Sequence, residues 1–167
     1  MAGKSDFTDA EWAKVLSAPL LAGVAVTCAE PSGLFGMLKE GFASGKALLD
    51  ARKDASAGEL EKAVATAFED GGERSQAREA LAAAVAGKTA PADIRDAAIA
   101  ALRAVGALVD AKAPGDAPGF KAWLRSVAQR VAESASEGGF LGFGGVTVSE
   151  AEKATLGDVA AALNLPA

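Results

Sequence analysis

Apolar residues recur at steps of three and four along most of the chain, the spacing that gathers side chains on one face of an α-helix. The first helix has the clearest start. Thr8 and Glu11 stand at the two positions of a capping box, and Phe7 and Trp12 at those of a hydrophobic staple. The pattern then meets Pro19, whose ring clashes with the preceding helical turn. This predicts a break near Ser17 and Ala18 and a second helix with Pro19 in its first turn. That second helix, Leu20 to about Ala29, is apolar nearly all round, as expected of a helix in mid-core, and Pro31-Ser32-Gly33 ends it.

A third helix is predicted from Leu34 to Ala51, with Leu34, Leu38 and Phe42 in register and Gly36, Gly41 and Gly45 interrupting it. Ser56 and Glu59 form another capping-box pair, opening a helix whose stripe is Leu60, Val64 and Phe68 and which ends at Gly71-Gly72. An Ala-rich helix from Ser75 to Ala86 stops at Gly87. Pro91 opens the longest helix, to about Lys112, with Ile94, Ala98, Leu102, Val105 and Val109 on one face. Its length makes it the expected central scaffold.

After the turn segment Ala113 to Pro118, Phe120, Leu124, Val127 and Val131 define a helix to about Ser136. The last helix opens on a third capping-box pair, Ser149 and Glu152, and turns Leu156, Val159 and Leu163 inward. It ends on Asn164 as a left-handed cap, with Leu165 folding back and Pro166 preventing continuation. No segment alternates long enough to argue a strand. The expectation is an all-α, single compact domain over 1–167, with seven to eight short helices in an orthogonal or irregular bundle.

Composition refines this picture. At 167 residues one domain is the natural size, and a core half apolar but only 5% aromatic must be built from closely spaced helices with Ala at their contacts. A net charge of −5 opposes unaided attraction to nucleic acid, so no nucleic-acid partner is expected. The single cysteine, Cys28, excludes an internal disulfide and fits a reducing compartment. No secretory signal pattern is visible at the N-terminus, so the expected location is cytoplasmic. Between Val15 and Leu38 Glu30 is the one charge, but the prolines leave an uninterrupted helical piece of about eleven residues, short of the roughly 20 that span a bilayer. A transmembrane segment is therefore not expected.

His and Tyr are both absent. Without His there is no Ser-His-Asp or Cys-His nucleophile system and no histidine ligand for zinc, haem or a di-iron centre. The expectation is a non-enzyme that carries no cofactor.

The feature with functional promise is the glycine-rich loop 138–146, which holds Phe140, Leu141 and Phe143. Either these side chains plug the helical core, or they form an exposed tip that docks on a protein partner, on a second copy, or peripherally on a membrane interface. It meets no nucleotide-binding fingerprint, lacking both a Gly-Lys-Ser/Thr ending and a preceding strand. Cys28 sits in the most apolar helix, where a packed thiol is expected. The acidic run Glu69-Asp70-Gly71-Gly72-Glu73 departs from the calcium-loop pattern and reads as a solvated helix end. Lys121, Arg125 and Arg130 around Trp123 have the spacing of a wet helix face.

Between Val127 and Leu165, an apolar helix, a glycine-containing turn, Val146-Thr147-Val148-Ser149-Glu150 and a final helix ending Leu163-Asn164-Leu165 resemble the closing helix-turn-helix of the tellurite-resistance B-like family, which are all-helical, cytoplasmic bacterial domains. The resemblance covers about a quarter of the chain. Where that family's turn carries metal-binding acidic residues this chain has Gly144-Gly145, leaving Glu150 and Glu152 as metal candidates. It implies a setting in bacterial stress response or in scaffolding at the inner membrane surface. The leading expectation is a non-enzymatic interaction or scaffolding module acting through the 138–146 loop. The alternatives are a divalent-metal-responsive domain of the tellurite-resistance type and a pocket protein for an apolar small ligand.

Overall fold

The structure, a computed structural model, describes residues 2–29, 50, 57–137 and 148–166. After a short 3-10 turn at Lys4–Asp6 the described residues form six helices: α1 (Asp9–Thr27), α2 (Glu59–Ala67), α3 (Gly71–Ala84), α4 (Pro91–Lys112), α5 (Ala117–Glu137) and α6 (Glu150–Ala162). No strand occurs among them, so the fold is all-α.

The count of six, against the expected seven to eight, has two sources. The segment Leu34–Ala51 lies outside the described residues except for Asp50. The two helices expected on either side of Pro19 are one continuous helix, α1. A proline inside a helix costs about 3 kcal/mol, because the carbonyl four residues earlier loses its donor and meets the ring. Against this, α1 buries twelve residues, among them Val15, Leu16, Leu21 and Val26 at no more than 1% exposure. Each such side chain contributes about 1.5–3 kcal/mol on burial, so four of them outweigh the proline.

The central scaffold is likewise α1 and not α4, since among the described helices α1 packs against all the others and most extensively against α4, α3 and α5. Length misleads here. α4 fully buries one stripe, Ala98, Leu102, Val105, Gly106 and Val109, flanked by the partly buried Ile99, Ala101 and Leu108. Ile94, expected on the inner face, is half-buried. From Val15 to Thr27 α1 is buried on all sides apart from the half-buried Leu20 and Val24. The remaining core comes from Leu60 and Val64 of α2, Phe120, Leu124, Val127 and Val131 of α5, and Val159 with Leu163 at the end of α6.

Several helix ends follow the local chemistry. Thr8 Oγ1 accepts from Glu11 N at 3.3 Å while Glu11 Oε2 accepts from Thr8 N at 2.8 Å, and the Phe7 and Trp12 rings lie 5.9 Å apart. Ser149 and Glu152 repeat the capping box at α6, at 3.2 and 2.8 Å. α6 closes in a Schellman turn: Asn164 takes φ 54°, Leu165 N donates to Ala160 O at 2.9 Å, and Asn164 N donates to Ala161 O at 3.1 Å. Gly87 takes φ 74° beyond α3.

Two starts differ from expectation. α2 opens at Glu59 on Gly58, which has no side-chain cap, and Ser56 lies outside the described residues. α3 starts four residues before Ser75, because Asp70 caps it by accepting from Glu73 N at 2.9 Å. Gly71 and Gly72 thus lie in the first turn of a helix and do not separate two.

A buried acid joins α2 to α5. Glu61 is 8% exposed, and a Cβ added at Gly119, in the first turn of α5, would stand 2.9 Å from its Oε1. On the other side a Cβ at Gly58 would stand 3.3 Å from the same oxygen and 3.6 Å from Asp116 Oδ1. The carboxylate is therefore held between two glycines at the positive end of the α5 dipole, where a negative charge is stabilising.

Candidate functional site

The loop residues Phe140, Leu141 and Phe143 lie outside the described residues, but the elements on either side are described. α5 runs to Glu137 along α1, and Val148, just before the capped start of α6, packs against the core. The metal candidates Glu150 and Glu152 serve different local roles. Glu150 is exposed and pairs with Lys153 at 2.7 Å, whereas Glu152 is buried and holds the backbone N–H of Ser149. Among the described residues no group of three His, Cys, Asp or Glu side chains is placed to hold a metal ion, and no helix is long and apolar enough to cross a membrane.

Cys28 is buried at the end of α1, as its apolar neighbours predict. The basic residues of α5 do not share a patch. Lys121 is buried and pairs with Asp110 of α4 at 2.7 Å, Arg130 pairs with Asp50 at 2.9 Å, and Trp123 stacks obliquely on Phe120 at 5.6 Å.

A concave surface among the described residues is an open groove of about 750 Å³ between the N-terminal turn, α2 and the start of α3. Ala2 and Lys4 form one end, Trp12 of α1 lies at its base, and Lys62, Ala63, Thr66 and Ala67 of α2 make one wall. Asp70, Gly72, Glu73 and Gln76 make the other. The N-terminal segment is pinned over this region at two points: Ala2 N donates to Asp116 Oδ2 at 3.1 Å, and Lys4 Nζ meets Glu73 Oε1 at 2.7 Å.

The groove's charged side chains answer to one another. The hydrogen bond and charge of Glu73 raise the Lys4 pKa above its usual value. Asp70 is held below the usual carboxylate range, first by the backbone N–H of Glu73 and then by that of Gly72. Lys62 lies 3.9 Å from Glu59. Trp12, 2% exposed, is the exception: its indole N–H is buried and meets no acceptor among the described residues.

Sequence reasoning missed this groove because each of its parts has a local explanation, Trp12 in the staple and the acidic run as a helix end. The available signal was Trp12 itself, a residue with a polar handle placed at a core position. No family model, no curated protein and no solved structure matches the chain.

Proposed function

We propose that the chain is a non-enzymatic helical interaction module, using the apolar glycine-rich loop 138–146 to hold a protein partner or a second copy of itself. The setting the family resemblance implies is bacterial stress response or scaffolding at the inner membrane surface, on its cytoplasmic side.

The observation that supports this reading is the contrast between the loop and its supports. Phe140, Leu141 and Phe143 stand among five glycines, and they are strung between α5, buried along Phe120, Leu124, Val127 and Val131, and the doubly capped start of α6. Apolar side chains on a loop carried by two firmly packed helices suit recognition. Histidine, on which Ser-His-Asp and Cys-His nucleophile systems depend, is absent from the sequence.

The double substitution Phe140→Ser and Phe143→Ser tests it, read by light scattering on the full chain and by capture of partners from its host. Loss of self-association or capture with helicity and Tm retained supports the module. Unchanged association and capture with the fold intact refutes it, and a large drop in Tm assigns the two rings to the core. Calorimetric titration with calcium, magnesium and manganese separates the metal-responsive alternative, in which Glu152 would hold a metal as well as the Ser149 N–H it accepts at 2.8 Å.

A further inference from the structure

The groove at the base of the N-terminal turn supports an inference independent of the 138–146 loop. We propose that it binds an uncharged, carbonyl-bearing ligand of about the size of a blocked amino acid, whose oxygen accepts a hydrogen bond from the indole N–H of Trp12.

The indole donor is the starting point. Buried polar side chains nearly always find a partner, and one that does not calls for an acceptor from outside the chain. Trp12 lines the groove and its N–H is unanswered among the described residues. The groove's volume of about 750 Å³ lies within the range of small-ligand sites.

The class of ligand follows from what the lining has left to offer. Lys4 is paired with Glu73 at 2.7 Å, Lys62 lies 3.9 Å from Glu59, and Asp70 is occupied as the cap of α3. An anionic ligand would face three carboxylates, with both lysines already paired. A cationic ligand would have to break one of those pairs. What remains is neutral: the Trp12 N–H, the Thr66 hydroxyl, the Gln76 amide and the methyl groups of Ala2, Ala63 and Ala67. A carbonyl matches the donors, and a small apolar group matches the methyls.

Because Trp12 is 2% exposed, its N–H sits below the rim and the rim must yield for a ligand to reach it. The Lys4–Glu73 pair is suited to that role. Lys4 is 56% exposed, and an exposed ion pair is held weakly enough to swing aside.

The experiment is a proton–nitrogen correlation spectrum of the full chain titrated with N-acetyl-L-alaninamide, which carries two carbonyls, two methyls and no charge. Trp12 and Trp123 give the two indole signals, assigned from the Trp123→Phe spectrum. The expected result is a saturable downfield shift of the Trp12 indole proton, half-complete at roughly millimolar probe as befits so small a ligand, with the Trp123 signal unmoved. Acetate and ethylammonium, as charged controls, should leave it in place. Ala63→Leu fills the groove and should remove the shift while the dispersed spectrum reports an intact fold. Should Ala63→Leu unfold, Thr66→Leu on an exposed position of the same wall should remove it instead. The proposal is overturned by a Trp12 signal that fails to saturate, by an equal response to acetate, or by a shift that survives filling of the groove.

Discussion

Gly119→Ala, a change that normally stabilises a helix, is expected to destabilise this protein, and Glu61 is the reason. Replacing a helical glycine by alanine gains up to about 1 kcal/mol, less in the first turn, where Gly119 sits. Here the new methyl would stand 2.9 Å from Glu61 Oε1, closer than such atoms approach, so the carboxylate must move. Burial restricts its retreat, because Glu61 is only 8% exposed. Moving a buried carboxylate away from a helix N-terminus forfeits about 1–2 kcal/mol, and an off-rotamer side chain adds about 0.5–1.5 kcal/mol. The loss exceeds the gain, leaving a net cost of about 1–2 kcal/mol, or a Tm lowered by roughly 2–8 °C at this chain length. Urea unfolding followed by circular dichroism, with the same m-value in both proteins, measures it. In a Glu61→Ala background the obstacle is gone, so Gly119→Ala should regain its stabilising sign. If Gly119→Ala raises stability in the otherwise native chain, the geometric argument fails.

Thr155 is fully buried in α6 with a hydroxyl that meets no partner among the described residues, so Thr155→Val should stabilise by about 1 kcal/mol, seen as a higher urea midpoint. The Lys121–Asp110 pair is asymmetric, with side-chain exposures of 9% and 44%. Asp110→Ala strands a buried ammonium and should cost about 1–2 kcal/mol, more than Lys121→Met, which keeps the packing of the stem; the two urea midpoints rank them. The lowered pKa values of Asp70 and Glu11 mean that their stabilisation is complete above the ordinary carboxylate range and is lost as pH falls through the folded values. Melting temperature should therefore drop below about pH 4, and less steeply in Asp70→Asn. The raised pKa of Lys4 acts at the other end, with stabilisation present below its ordinary value of 10.5 and lost as pH rises beyond it.

What the sequence disclosed was the chemistry of helix ends and stripes. Thr8 with Glu11, Ser149 with Glu152, Pro91, Gly87 and Asn164 all act locally, within a few residues, and all behave in the structure as their spacing predicts. What it concealed depends on neighbours distant along the chain. Pro19 breaks an isolated helix, but its tolerance inside α1 is set by α3, α4 and α5 closing around it. Asp70 and Ser75 are both plausible helix starts, and the contact between Glu73 and Lys4 favours the earlier one. The role of Glu61 is invisible without α5, for it faces Gly119, which belongs to another helix. The groove was hidden for the same reason: Trp12, Thr66 and Gln76 come from three separate helices.

The position of α1 governs the order in which the molecule can be assembled. Residues 9–27 leave the ribosome ahead of every other described helix, yet the surfaces they need most, on α3, α4 and α5, are synthesised between residues 71 and 137. During that interval the nascent chain carries an apolar rod with its partners still unmade, and such exposure invites association between chains. Contacts that span so much of the sequence also close slowly. Once α6 has docked, the backbone amides of α1 should be the last among the described helices to exchange with solvent, because releasing them requires the other described helices to let go.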